Sequence, residues 1–140
     1  MDEFKTKLDN QTLDISVTVS SDALMDGSSK IFITIYHEDH PRRWRKIDAF
    51  QDDNNVFSAS IEKSRLSKRP ILKIRTNFIV DTIDLKDAIV KTSTCNYLLK
   101  DELNEASFTS NYQDNENEFD LGKSDDETFS ISKKIHIELT

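Results

Sequence analysis

The chain reads as all-β: an antiparallel β-sandwich, immunoglobulin-like in the loose sense, with roughly seven or eight short strands and at most one short helix. Three observations predict this. Apolar residues recur at every second position in several short stretches, the period of a half-buried strand. Turn-forming runs of Asn, Asp and Ser separate those stretches about every ten residues. Hydrophobic content is 36% and charged content 32%, which suits a thin core under a heavily solvated exterior. A partly open β-barrel is the alternative closure. The 140 residues make one domain, 1–140, able to bury roughly two thirds of its unfolded surface.

The clearest stretch is Pro70 to Asp84. Leu72, Ile74, Thr76, Phe78 and Val80 alternate with Lys73, Arg75 and Asn77, which predicts a central strand with one wet face. Past Phe78 the other face also turns apolar, with Ile79 and Ile83, which predicts that the far half is covered on both sides.

Met1 to Asn10 has little pattern and is expected to fray or to lie along an edge. Leu13, Ile15, Val17 and Val19 alternate with polar residues and make a strand. Ser20 to Ser29, with Asp26-Gly27, turns the chain. Ile31, Ile33 and Ile35 alternate with Phe32, Thr34 and Tyr36, a strand covered on both faces. His37 to Arg43 is a loop or bulge. Trp44 to Phe50 is extended but of confused parity, and Asp52-Asp53-Asn54-Asn55 turns it toward Phe57, Ala59 and Ile61, so 44–61 is expected to be a hairpin. Ile89 to Cys95 reads as a strand, and Asn96 to Ala106 offers an N-cap with Leu99, Leu103 and Ala106 at helical spacing. Ser107 to Tyr112 is extended, and an acidic loop follows from Asp114. Phe129, Ile131, Ile135, Ile137 and Leu139 share one parity, interrupted by Lys133, and form the last strand.

Net charge is −7, unevenly spread. Residues 41–75 hold ten Lys and Arg against four acids, whereas 101–127 holds ten acids against Lys123. The basic segment is the candidate partner-binding surface: Arg42, Arg43, Trp44, Arg45, Lys46, Arg65, Lys68, Arg69, Lys73 and Arg75. Clustered cations with an aromatic suit an acidic protein surface. Nucleic acid is the weaker match, because the whole chain is acidic. The duller reading of the same cations is twofold: they deter strand pairing at a sheet edge, or the acidic segment folds across them.

Other chemistry is thin. His37 and His40, with Glu38 and Asp39 between them and Asp48, Asp52 and Asp53 nearby, offer metal ligands. A lone His-x-x-His with no second cluster reads more simply as a solvated loop. Asp114, Glu116, Glu118 and Asp120 alternate as calcium-type ligands, without the glycine an EF-hand needs. Either group would make the alternative function a metal- or ligand-binding sandwich. Two glycines exclude a Gly-rich phosphate cradle and a G-x-S-x-G elbow. Cys95, the only cysteine, excludes an intrachain disulfide, favours a reducing, cytoplasmic setting, and reads as a packing residue rather than a nucleophile. The Asn10-Gln11-Thr12 sequon reads as accidental. No apolar run reaches the ~20 residues of a membrane span. The expectation is a non-catalytic protein-interaction module without cofactor.

Overall fold

Period-2 patterning dictates the architecture. The computed structural model describes residues 2–9, 11–25, 30–35, 43–47, 49–51, 55–66 and 70–140. Within them lie β1 (Asp2–Thr6), β2 (Thr12–Ser20), β3 (Leu24–Met25), β4 (Lys30–Ile35), β5 (Arg43–Ile47), β6 (Phe50–Gln51) and β7 (Val56–Glu62). After them come β8 (Ile71–Ile79), helix α1 (Lys86–Thr92), β9 (Thr94–Lys100), β10 (Glu105–Asn111), β11 (Phe119–Asp120) and β12 (Thr128–Leu139). The strand count exceeds the expected one because β3, β6 and β11 are two-residue pairings, too short to leave a periodic signal, and because the weakly patterned β1 is a strand as well.

The strands form two sheets that pack face to face without closing a barrel. The first runs β1-β12-β8-β4-β5, with β11 also beside β12 and β3 beside β8; the second runs β10-β9-β2-β7-β6. β8 is the central strand of the first sheet, as its alternation predicts. Its inward residues Leu72, Ile74 and Phe78 are fully buried, and Ile31, Ile131 and Ile135 join them from neighbouring strands. Leu13, Ile15, Val17, Cys95, Tyr97 and Leu99 face them from the second sheet, in one continuous apolar cluster. Phe78 and Phe129 are register partners and stack with centroids 4.6 Å apart. Truncating a side chain as enclosed as Leu72 to Ala would cost about 2–5 kcal/mol.

Four expectations are corrected. Residues 44–61 are not one hairpin: β5 pairs with β4 in the first sheet, whereas β6 and β7 belong to the second. The confused parity of Trp44 to Phe50 comes from that change of sheet. Residues 96–106 are not helical, because Cys95, Tyr97 and Leu99 bury one side of β9 and the 101–104 turn leads into β10. The helix lies earlier, at 86–92, where a strand was expected; Asp87 and Lys91 pair one turn apart at 3.0 Å, and Ser93 Oγ donates to the Ile89 carbonyl. The far end of β8 and the turn after it are not covered twice: Ile79 is 38% and Ile83 40% exposed, since only the opposite side of β8 packs on the second sheet. The weakly patterned N-terminus, by contrast, is an edge strand, and β1 runs parallel to β12 within an otherwise antiparallel pairing scheme.

Among the described residues, three lysines lie inside this frame. Lys133 occupies an inward position of β12, and its ammonium meets Asp2 at 2.7 Å, Glu118 at 3.2 Å and the Thr109 carbonyl at 3.1 Å. Lys63 meets Asp9 at 3.0 Å and Asp101 at 3.3 Å. Lys86 donates to the carbonyls of Leu121, Lys123 and Asp126 at 2.6, 3.2 and 2.8 Å. Buried cations survive only when paired or fully hydrogen-bonded, and each of these ties a loop or a terminus to the sandwich. Gly122 completes the Lys86 loop at φ +60°, where an added Cβ would lie 2.5 Å from Asp126 Oδ2.

Candidate functional site

Register decides which charges share a face. On β8, Lys73 and Arg75 stand opposite in direction to the buried Leu72 and Ile74, so they point away from the core. Lys73 pairs with Lys134 of β12 on one side and with Phe32 of β4 on the other, and Phe32 in turn pairs with Lys46 of β5. Lys46, Lys73 and Lys134 therefore form one row across the outer side of the first sheet. In the next row, the register places Arg75 between Lys30 and Ser132. Lys46, Arg75 and Lys134 are exposed and Lys73 is half-buried. With strands ~4.8 Å apart, the Lys46–Lys134 row spans about 14 Å.

The structure thus gathers three of the ten anticipated residues, Lys46, Lys73 and Arg75, and adds Lys134, with Lys30 at the register position beside Arg75. Arg45 is exposed but takes the opposite parity: it pairs with Ile33, whose other partner is the core residue Leu72. Arg43 and Trp44 pair with Ile35 and Thr34 at the sheet edge, and Arg65 lies in a 3-10 turn over 63–65. Arg42, Lys68 and Arg69 lie outside the described residues.

The acidic segment borders this face rather than crossing it. Asp101 and Glu118 turn inward to Lys63 and Lys133. Asp120 pairs in register with Ser130, itself beside Asn77. Arg75, Asn77, Asp120, Thr128 and Ser130 line a cleft of about 280 Å³ at that end of the face. Arg75 Nε donates to Asn77 Oδ1 at 3.2 Å, so its guanidinium leans along β8 toward the cleft.

The metal alternatives fare differently. His37 and His40 lie outside the described residues. The four alternating acids do not converge: Asp114 accepts from Asn111, Glu116 from Tyr112, Glu118 from Ser110 and Lys133, and Asp120 from the Gly122 N–H. Among the described residues no three His, Cys, Asp or Glu are placed to hold a metal ion. Cys95 is buried with its thiol on Thr76 Oγ1; burial pushes that thiol up to about 11, the reverse of an activated nucleophile. A trough of about 530 Å³ on the outer side of the second sheet is lined by Asp14, Ser16, Ser58, Ser60, Leu98 and Lys100. There Ser60 Oγ donates to Asp14 Oδ1 at 2.6 Å.

Sequence reasoning missed Lys30 and Lys134, which lie outside the basic run. Lys134 does carry a signal, since it alternates with apolar residues in the last strand, but only the β8–β12 register brings it beside Lys73. No helix among the described residues is long and apolar enough to cross a membrane. No family model, curated protein or solved structure matches the chain.

Proposed function

We propose that this chain is a non-catalytic protein-interaction module whose outer first-sheet face receives an acidic protein surface. One observation carries the reading: strand register assembles cations from β5, β8 and β12, distant in sequence, onto one face. Complementary charge speeds encounter and fixes orientation, and a rigid sheet presents that charge without ordering loops first. The buried Cys95 thiol is removed as a candidate nucleophile, and a chain with a single cysteine suits a reducing, cytoplasmic setting.

Strand order supports the immunoglobulin-like reading. In chain order, β2, β4, β5, β6, β7, β8 and β12 take the places of strands B, C, C′, D, E, F and G of a variable-type sandwich. The β9–β10 hairpin, inserted between the last two, fills the place beside B where strand A would lie.

The test is binding of a fluorescent polyglutamate peptide, read by anisotropy at low and high salt. Lys73→Glu with Lys134→Glu should weaken binding at least tenfold and flatten its salt dependence. Equal affinity in the double variant would overturn the assignment of the face.

A further inference from the structure

The tip of the β9–β10 hairpin carries the opposite character to the cationic face, and its main chain is tied down from within. Asp101 is buried and accepts from the main-chain N–H of Leu103 at 2.8 Å and of Asn104 at 2.6 Å, from the Thr6 hydroxyl, and from Lys63. Its own N–H donates to the Asn104 carbonyl at 2.9 Å. On this pinned turn Leu103 is 77% exposed, between the exposed carboxylates of Glu102 and Glu105. An isolated exposed leucine is ordinary. A leucine presented by a pinned turn between two acids is a preorganised anchor, because binding need not order the turn.

The cationic face has the matching features. Ile79 points to the same side of β8 as Lys73 and Arg75, and its register partner Leu24 is 63% exposed. Arg75 and Ile79 are four residues apart, about 14 Å along the strand, and the guanidinium leans from Arg75 toward Asn77 in that direction. The apolar pair thus sits at the end of the strand toward which Arg75 leans, across the cleft that Asp120 also lines, whereas Leu103 lies directly between Glu102 and Glu105.

The two features cannot meet within one chain. The tip follows Lys100, which pairs with Asp14 near the start of β2. Ile79 leads through the 3-10 turn at 83–85 and α1 to Thr94, which pairs with Ser20 at the end of β2. Asp14 and Ser20 lie about 20 Å apart along that strand, and the tip extends further still beyond Lys100. Resting on the cationic-face reading, we infer that the partner of this face is a second copy of the chain, which inserts Leu103 against Leu24 and Ile79 and sets Glu102 and Glu105 against Arg75 and its neighbouring cations. Such a contact joins unlike surfaces, so it builds a ring if the rotation closes and a filament if it does not.

Sedimentation velocity with two blocked variants tests this. One carries Lys73→Glu and Arg75→Glu, the other Leu103→Ser and Glu105→Gln, all at exposed or half-buried positions, with folding checked by circular dichroism. The unmodified chain should grow in mass with concentration at low salt and return to monomer at high salt. Each variant alone should stay monomeric, and their equimolar mixture should stop at a dimer, since each supplies the surface the other lacks. A monomeric unmodified chain at every concentration, or a mixture that does not pair, overturns self-association. Polyglutamate binding by the Leu103→Ser, Glu105→Gln variant separates the two claims: if it persists while self-association fails, the face still takes acidic partners, and if it is lost the underlying reading fails as well.

Discussion

Replacing Lys63 with Met should be among the most damaging single changes outside the apolar core. The Lys63 side chain is 2% exposed and so is that of Asp101, while Asp9 on its other side is 29% exposed. Removing the ammonium leaves the Asp101 carboxylate buried with only neutral donors, and breaking a buried pair from one side costs about 3–5 kcal/mol. For a chain of this length that corresponds to a fall in melting temperature of roughly 10–20 °C. Urea unfolding followed by far-ultraviolet circular dichroism would read the loss. Asp101→Asn alone should also destabilise, but the double variant should lose less than the sum, with a coupling of roughly 1–3 kcal/mol, because it leaves no unpaired charge. A loss below about 1 kcal/mol for Lys63→Met, or strict additivity in the cycle, would refute the claim that the pair holds the hairpin tip.

Further outcomes follow from the same groups. Burial acts to raise the Asp101 carboxyl, but the Thr6 hydroxyl, the Asn104 and Leu103 N–H groups and Lys63 outweigh it and hold it well below the usual carboxylate range. The unfolded chain therefore takes up that proton first, near pH 4, so the stability Asp101 confers is complete above that pH and shrinks as the solution is acidified. The stability gap between the unmodified chain and Asp101→Asn, measured by denaturant titration, should be constant above about pH 5 and narrow below pH 4. Lys86→Met should leave three carbonyls without their charged donor and destabilise by about 1–3 kcal/mol, with faster amide exchange at Asp126, whose N–H donates to the Lys123 carbonyl. Lys133→Met should cost a similar amount in the same denaturant titration, since its Asp2 partner is 41% exposed and recovers water when released. Cys95 should react with a thiol reagent only as fast as the chain unfolds, because its thiol is both buried and raised; rapid labelling of the native protein would contradict the packing.

The sequence was most legible where one element obeys one period. The alternations through Leu13, Ile15 and Val17 and through Leu72, Ile74 and Phe78 are set by burial of a single side, and the strands lie where they predict. Legibility failed where tertiary context chose between readings. Leu99, Leu103 and Ala106 have helical spacing, yet Leu103 projects from a turn and the Cys95–Tyr97–Leu99 parity prevails. The change of sheet between β5 and β6 looked like confused parity because the residues facing the core alter when a chain crosses layers. Lys133 looked like an interruption in an apolar strand, and it is indeed buried, but its Asp2 and Glu118 partners come from distant segments that no local pattern links. The cationic face was half legible: the run of Lys and Arg announced it, whereas its membership is a matter of register, which excludes Arg45 from the row and admits Lys134.

The recognition role proposed for the rows of cations on the outer side of the first sheet can be read by titrating the isotopically labelled chain with polyglutamate and following backbone amide shifts by nuclear magnetic resonance. Salt-sensitive shifts should concentrate at Lys46, Lys73, Arg75 and Lys134, with Ser16, Ser58 and Leu98 on the far sheet unmoved. Shifts centred on the far sheet, or none at low salt, would contradict it.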